Sequence, residues 1–449
     1  MTRPSGLKGF ATITLGQVAS ITGTAMTQFG LSYWVWQEFG KATPFSIMSI
    51  LFFGAQVIFG LAAGSLVDRW PRKISLILPD MASGVLTLIA LYLYSHNALT
   101  LTYLYTMSFV NGIFAALQFP AYSVTLATML KPDQYTRANA LFSITDFGPA
   151  LIAPILAGGL LGTIGLQGIM TIDLATLTLA VLINLWVFIP DQKRKQFPGA
   201  MPEAEEGTSS FWQDILFGFK FISQRKPLFM LLTVFLATNF FSGFGSALFS
   251  PYVLARTNNN ALALGTIETF FGVGGLIGTL LLTIWVVPGR KVKALLIGMI
   301  ISDLGFMLLG YSRLISPMCI GAVLTSFGGV MANTHSQAIW QSIVPVPIQG
   351  RVFSARRFIA QALSGIPMFL SGPLVDNLLV PYFNQETMLS NLLGHGPAGA
   401  ISFLMLLGAI LSIAVSLLAF TNSSIMHVED LAMVSSQADS AQETSSPLC

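Results

Sequence analysis

The sequence predicts an all-α polytopic membrane protein, with twelve transmembrane helices in two pseudo-symmetric six-helix bundles. Three observations predict this class. The first is composition: of 449 residues, 53% are hydrophobic and 9% charged, with a mean hydropathy of +0.72, where a soluble domain carries about 25% charged residues. The second is the recurrence of apolar runs from near the N-terminus to residue 420. Each is long enough to cross a hydrocarbon core of ~30 Å as a helix of roughly 20 residues. The third is the distribution of basic residues between those runs. Backbone in lipid must satisfy its own hydrogen bonds, which favours helices, and the runs lack the two-residue alternation of membrane barrel strands.

Twelve spans are expected at roughly 9–37, 44–67, 74–95, 98–130, 138–163, 167–189, 228–253, 264–287, 292–311, 316–343, 352–376 and 397–420. The first run exceeds a signal-peptide core and has no small-residue cleavage site. Cys319 and Cys449 give no disulfide framework, and a terminal Cys449 is not a prenylation site. With both termini cytoplasmic, 19 of the 22 basic residues fall in cytoplasmic segments, and Lys41, Arg256 and Arg313 outside. Cytoplasmic loops carry the excess of Lys and Arg, so the expected setting is a cell (inner or plasma) membrane with N- and C-termini inside.

Residues 190–227 form the one long break. An N-terminal bundle is expected over 1–189, a linker over 190–227, a C-terminal bundle over 228–420 and a disordered cytoplasmic tail over 421–449. Within the linker, Phe211, Ile215, Phe219 and Ile222 recur at helical spacing and predict an amphipathic helix at the cytoplasmic face. Pro227 separates it from the seventh span. The halves repeat weakly. An offset of 214 places Arg137 over Arg351, Gly64 over Gly278 and Gly158 over Gly372. Two six-helix halves are a transporter architecture with the substrate site between repeats near the midplane.

Four spans carry polar rows. Gln17, Ser20, Thr24 and Gln28 share a face of the first, and Asn111, Gln118, Tyr122 and Thr125 of the fourth. Asn239, Ser242, Ser246 and Ser250 do so in the seventh, and Ser326, Asn333, Gln337 and Gln341 in the tenth. Such a face must meet another helix or a water-filled cavity. Equivalent placement in both repeats favours a shared substrate cavity. Asp80, Asp146, Asp173, Glu268 and Asp303 are carboxylates within spans. A charge at a helix centre costs roughly 2.5–3.5 kcal/mol to insert, so each needs a reason. Asp146 and Glu268 serve either as proton carriers or as structural partners. No second His or Cys stands at ligand spacing from His335, and no metal site, cofactor or nucleic-acid partner is expected.

The stretch from Gly64 to Lys73 places Asp68, Arg69, Arg72 and Lys73 between two apolar runs. It resembles the loop motif of the major facilitator superfamily, with Gly64, Leu66, Asp68, Arg69, Arg72 and Lys73 matching and Pro71 replacing the usual Gly. The stretch with Pro149, Pro154, Gly158 and Gly159 resembles the antiporter motif of drug/proton exchangers, with Ala153 and Ala157 in place of glycines. Gln118-Phe119-Pro120-Ala121, Gly350 to Ser354 and Gly372 to Asp376 resemble the branch with macrolide efflux proteins and enterobactin exporters. That resemblance implies a cytoplasmic gate at the Asp68 hairpin, with Arg137 or residues near Arg356 as partners. It implies a kinked fifth span and a monomer. It also implies that the third, sixth and ninth spans lie outside the cavity, so Asp80, Asp173 and Asp303 are assigned to structural pairing.

The expected activity is proton-coupled export of an amphipathic small molecule (drug, macrolide or siderophore-like) by alternating access. The rivals are a facilitator, importer or lipid flippase of the same fold, and a polytopic enzyme or receptor. The sequence shows no nucleotide-binding motif and no cluster of catalytic side chains at a membrane face.

Overall fold

The computed structural model describes residue 4 and residues 6–130, 134–188, 211–284, 289–345 and 348–431. Inside the helices, the side chains of Asp68, Arg69, Arg72, Arg137 and Asp146 lie outside the described set, as does the linker over 190–210. Among the described residues every regular element is helical. The long helices are α1 (Gly6–Phe39), α2 (Thr43–Arg69), α3 (Arg72–Ser95), α4 (Leu101–Met129) and α5 (Tyr135–Trp186). After the short α6 (Phe211–Ser223) come α7 (Lys226–Ser246), α8 (Phe249–Arg256), α9 (Ala261–Ile284) and α10 (Lys291–Tyr311). Then follow α11 (Ile315–Ile343), α12 (Gln349–Leu374), α13 (Val380–Phe383), α14 (Met388–Leu393), α15 (Gly396–Thr421) and α16 (Ser423–Met426).

Nine stretches of the described residues are long and apolar enough to span a membrane. One of them, Phe147–Trp186, is 40 residues long and is divided by Gly165, whose φ of 65° only glycine adopts readily. α1 and α4 have the length, 34 and 29 residues, while their polar rows dilute the apolar content. Counting both limbs of α5, twelve long helical segments stand among the described residues, as the apolar runs predict.

Several boundaries differ from expectation. The seventh span stops at Ser246, and α8 forms a separate element. α12 runs on through a π-helical turn, Val375–Leu379, into α13. The regular helix continues through Pro149 and Pro154, and the break at Gly165 falls in the gap expected between the fifth and sixth spans. The tail is ordered as far as residue 431: Val428 is fully buried, Arg290 donates to the Met426 carbonyl, and Glu429 accepts from the Val292 amide. The Ser/Gln/Ala-rich composition that predicts disorder belongs to residues beyond the described set.

The chain forms two compact units. The first comprises Met1–Pro198, Ala247–Gly272 and Met368–Ser402. In it α1 packs along the second limb of α5. Gly16, Gly23 and Gly30 lie one heptad apart, and a Cβ on them would meet Ile183, Asp173 with Thr176, and Leu166 in turn. Small residues at this spacing bring two helix backbones close, which is how membrane helices gain packing where lipid gives no hydrophobic drive. A core of Phe10, Ile13, Val67, Leu76, Leu117 and Tyr122 closes one end of α1 to α4.

The second unit comprises Gly199–Ser246, Val273–Pro367 and Phe403–Cys449. α10 and α11 approach through Gly298 and Gly305 facing Gly328 and Gly321. α6 lies on the start of α12, where Gly218 leaves room for the Arg351 carbonyl and Ala355, and the Arg351 guanidinium stacks 4.1 Å from the Phe217 ring. Ile215 and Ile222 are buried as the amphipathic pattern predicts, but Phe219 is exposed and Phe221 takes the inward position.

Candidate functional site

The polar row of α1 turns toward α3 and α4 within the first unit. Gln17 is buried and its Nε2 donates to Asp80 Oδ2 at 2.6 Å. Thr14 and the Tyr122 hydroxyl share a hydrogen bond of 2.5 Å. Between these helices open two adjoining cavities of about 160 Å³ each. The first is lined by Gln17, Asp80, Gln118 and Tyr122, with Ile21 and Leu76 as apolar wall. The second is lined by Thr24, Gln28, Asp80, Asn111 and Gln118, with Phe52 and Phe114 as wall. All six cavity candidates of the first and fourth spans are therefore brought together.

The second unit holds a smaller counterpart of about 140 Å³, lined by Asn239, Ser242, Asp303 and Asn333. Two other candidates lie outside these three cavities. Ser246 donates to the Gly243 carbonyl of its own helix, and Gln337 accepts from Arg356 at 3.5 Å. Arg356 also donates to Ser336 at 2.8 Å and lies 4.8 Å from the Trp340 ring, so its charge is engaged inside its own unit.

The intramembrane carboxylates differ in how they are held. Asp173 accepts from Thr24 and Thr87, both at 3.0 Å, one on each oxygen. Asp303 accepts from Ser242 at 3.1 Å and Ser412 at 2.5 Å, again one on each oxygen. Both match the structural pairing expected of them. Asp80 too is paired, with Gln17, but it lines both cavities of the first unit as Asp303 lines that of the second, against the expectation that the third and ninth helices lie outside the cavity. Period and hydropathy place Asp80 in the third span and say nothing of the face it shares with Gln17. Of the two coupling candidates, Glu268 accepts from Ser250 at 3.3 Å, and the Asp146 side chain lies outside the described residues.

At the predicted gate, α2 ends at Arg69 and α3 begins at Arg72, leaving a two-residue turn. Lys73 Nζ donates to the Leu185 carbonyl at 3.0 Å, a cation on the last turn of a helix. Gly158 serves as a contact point: a Cβ there would meet the Ala261 carbonyl at 2.6 Å, whereas Gly159 faces open space. Its repeat partner Gly372 likewise admits the start of α2 at Thr43. Four residues on, Asp376 accepts from the amides of Ala42 and Thr43 at 2.9 and 2.7 Å and from the Thr43 hydroxyl. Ala42 provides no side-chain cap of its own, so Asp376 caps α2 from another helix, a role invisible to local sequence patterns.

The family profile described as Major Facilitator Superfamily matches residues 13–368. The chain belongs to the major facilitator superfamily. Among curated relatives, this superfamily member is 26% identical over 390 residues to macrolide efflux protein A of Streptococcus pyogenes, covering 83% of this chain and 91% of that protein. It is 26% identical over 343 residues to macrolide efflux protein A of Enterococcus faecalis, covering 73% and 97%. Among solved structures it resembles the nucleoside transporter NupG, with a TM-score of 0.66 at 13% identity over 91% of this chain and 98% of that one. It also resembles a bacterial homologue of the iron transporter ferroportin in its inward-facing state, with a TM-score of 0.65 at 14% identity over 92% and 100%. The structural likenesses show the fold, and membership of the superfamily makes this chain a multi-pass transporter of the cell membrane that moves a small molecule.

Proposed function

We propose that this chain is a secondary active transporter that exports an amphipathic small molecule in exchange for protons. The observation that carries the reading is the pair of adjoining cavities in the first unit. Polar groups of α1 and α4 converge there with Asp80 against the apolar walls of Ile21, Phe52 and Phe114. A pocket that is mostly apolar with a few convergent polar groups suits a small amphipathic ligand. The likeness to macrolide efflux proteins supports outward movement of such a molecule. Asp146 and Glu268 are the proposed coupling carboxylates. Halves 1–189 and 228–420, joined by 190–227, rock about the site in a monomer with both termini cytoplasmic, and the Asp68 hairpin gates that side.

Everted vesicles test the proposal. An imposed inward-acid gradient should drive uptake of a labelled macrolide, and a protonophore should abolish it. Asp68→Asn should insert and orient normally yet lower the initial rate, as should Glu268→Gln. Gradient-independent accumulation of the macrolide, or none at all for any amphipathic dye tried, defeats the reading.

A further inference from the structure

Asp80 stands apart from Asp173 and Asp303, each of which accepts a hydrogen bond on both oxygens. Its side chain is only 5% exposed. Gln17 occupies Oδ2, and among the described residues Oδ1 receives no hydrogen bond and Asp80 has no ion-pair partner. Oδ1 is also not among the sealed atoms that lack a partner, so it keeps contact with the cavities that Asp80 lines. Among the described residues, none that lines either cavity is basic. A carboxylate at membrane depth is costly unless paired, and breaking a buried pair by removing one partner is more costly than losing both. The first unit thus presents half of an ion pair, opening onto the space where a ligand fits.

We propose that Asp80 is the recognition group for the cationic amine of an amphipathic substrate. The ammonium is held at Oδ1, and the apolar body lies on Ile21, Ala115 and the rings of Phe52, Phe114 and Tyr122. This deepens, and rests on, the export reading above. The chemistry favours an organic cation over a metal ion. Calcium takes six to eight oxygen ligands and magnesium a near-ideal octahedron, and among the described residues no group of three or more acidic, His or Cys side chains is placed to hold a metal. An organic ammonium needs one carboxylate, is attracted to ring faces, and brings its own apolar surface to the walls. Gln17 positions the carboxylate by fixing Oδ2, leaving Oδ1 for the ligand.

Equilibrium dialysis of the purified full-length chain with labelled tetraphenylphosphonium, a permanent cation, tests the site. Saturable binding by wild type, at least tenfold weaker in Asp80→Asn and largely retained in Asp80→Glu, is the expected result. Neutral triphenylphosphine oxide should fail to displace the cation. Equal affinity of wild type and Asp80→Asn, equal displacement by the neutral compound, or no saturable binding by wild type overturns the proposal. If Asp80→Asn does not fold, carbodiimide modification of wild type decides the matter, since the cation should protect Asp80; labelling at Asp80 that the cation leaves unchanged overturns it. Asp80-dependent binding without gradient-driven macrolide uptake keeps the cation site and removes the export reading. Uptake that is indifferent to Asp80 keeps export and removes the site.

Discussion

Asp80 and Asp303 make an instructive pair. Each is a buried carboxylate on a membrane helix that receives a hydrogen bond from the polar row of the first helix in its own half: Gln17 for Asp80 and Ser242 for Asp303. Each lines a cavity. They part at the second oxygen. Ser412 closes Asp303, whereas among the described residues no group closes Asp80. One carboxylate is a completed interhelical clamp, and the other is left with a site to fill. A carboxylate in a membrane helix is thus not functional by its rarity alone; in this pair the second oxygen tells the two roles apart.

Substitutions can break that contrast. The largest effect is expected for Asp303→Ala, which removes two interhelical hydrogen bonds. Such bonds in membrane proteins average ~0.6 kcal/mol and reach about 1.7, so a loss of about 1–3 kcal/mol should appear as a lowered midpoint of thermal or denaturant unfolding in detergent. The matching change at the other site, Asp80→Asn, should act the other way round. The amide oxygen still accepts from Gln17, so stability should move by less than about 0.5 kcal/mol. The initial rate of macrolide uptake into everted vesicles should meanwhile fall about tenfold, or ~1.4 kcal/mol. If Asp80→Asn costs as much stability as Asp303→Ala and no more transport, the distinction collapses.

Smaller changes sharpen it. Ser412→Ala takes away one partner and should lower stability by ~0.6 kcal/mol without altering transport beyond what unfolding explains. A double-mutant cycle with Asp303→Ala measures that pairwise part. Gln17→Ala should cost about 0.5 kcal/mol of stability, the smallest effect of the set. Its signature lies elsewhere: weaker tetraphenylphosphonium binding, because Asp80 loses the group that orients it. Unchanged cation binding in Gln17→Ala argues that Asp80 needs no positioning.

Much of this was legible in the chain. The polar rows of the first and fourth spans do meet around a cavity, since residues three, four and seven apart on a helix share a face. The repeat read from Gly158 and Gly372 holds in physical terms, as both glycines admit the start of a neighbouring helix. The same repeat did not reveal that the seventh and tenth spans send Asn239 and Asn333 to a cavity but leave Ser246 and Gln337 out of it. The heptad of Gly16, Gly23 and Gly30 is legible in the sequence as a packing face. In the fifth span the helical geometry continues past Pro149 and Pro154 and yields at Gly165, in the gap between the fifth and sixth apolar runs.

What the sequence determined by itself is what composition and short periods can carry. Residence in lipid, helical spans and their approximate ends follow from run length and from the need to satisfy backbone hydrogen bonds locally. What the tertiary structure alone decided is which polar groups find partners. Gln17 reaches Asp80 across 63 positions, and Asp376 reaches the start of α2 across 334 and 333. No local pattern encodes such distances. In a medium that offers no hydrogen bonds of its own, those distant pairings separate a carboxylate that holds helices together from one that is free to hold a ligand.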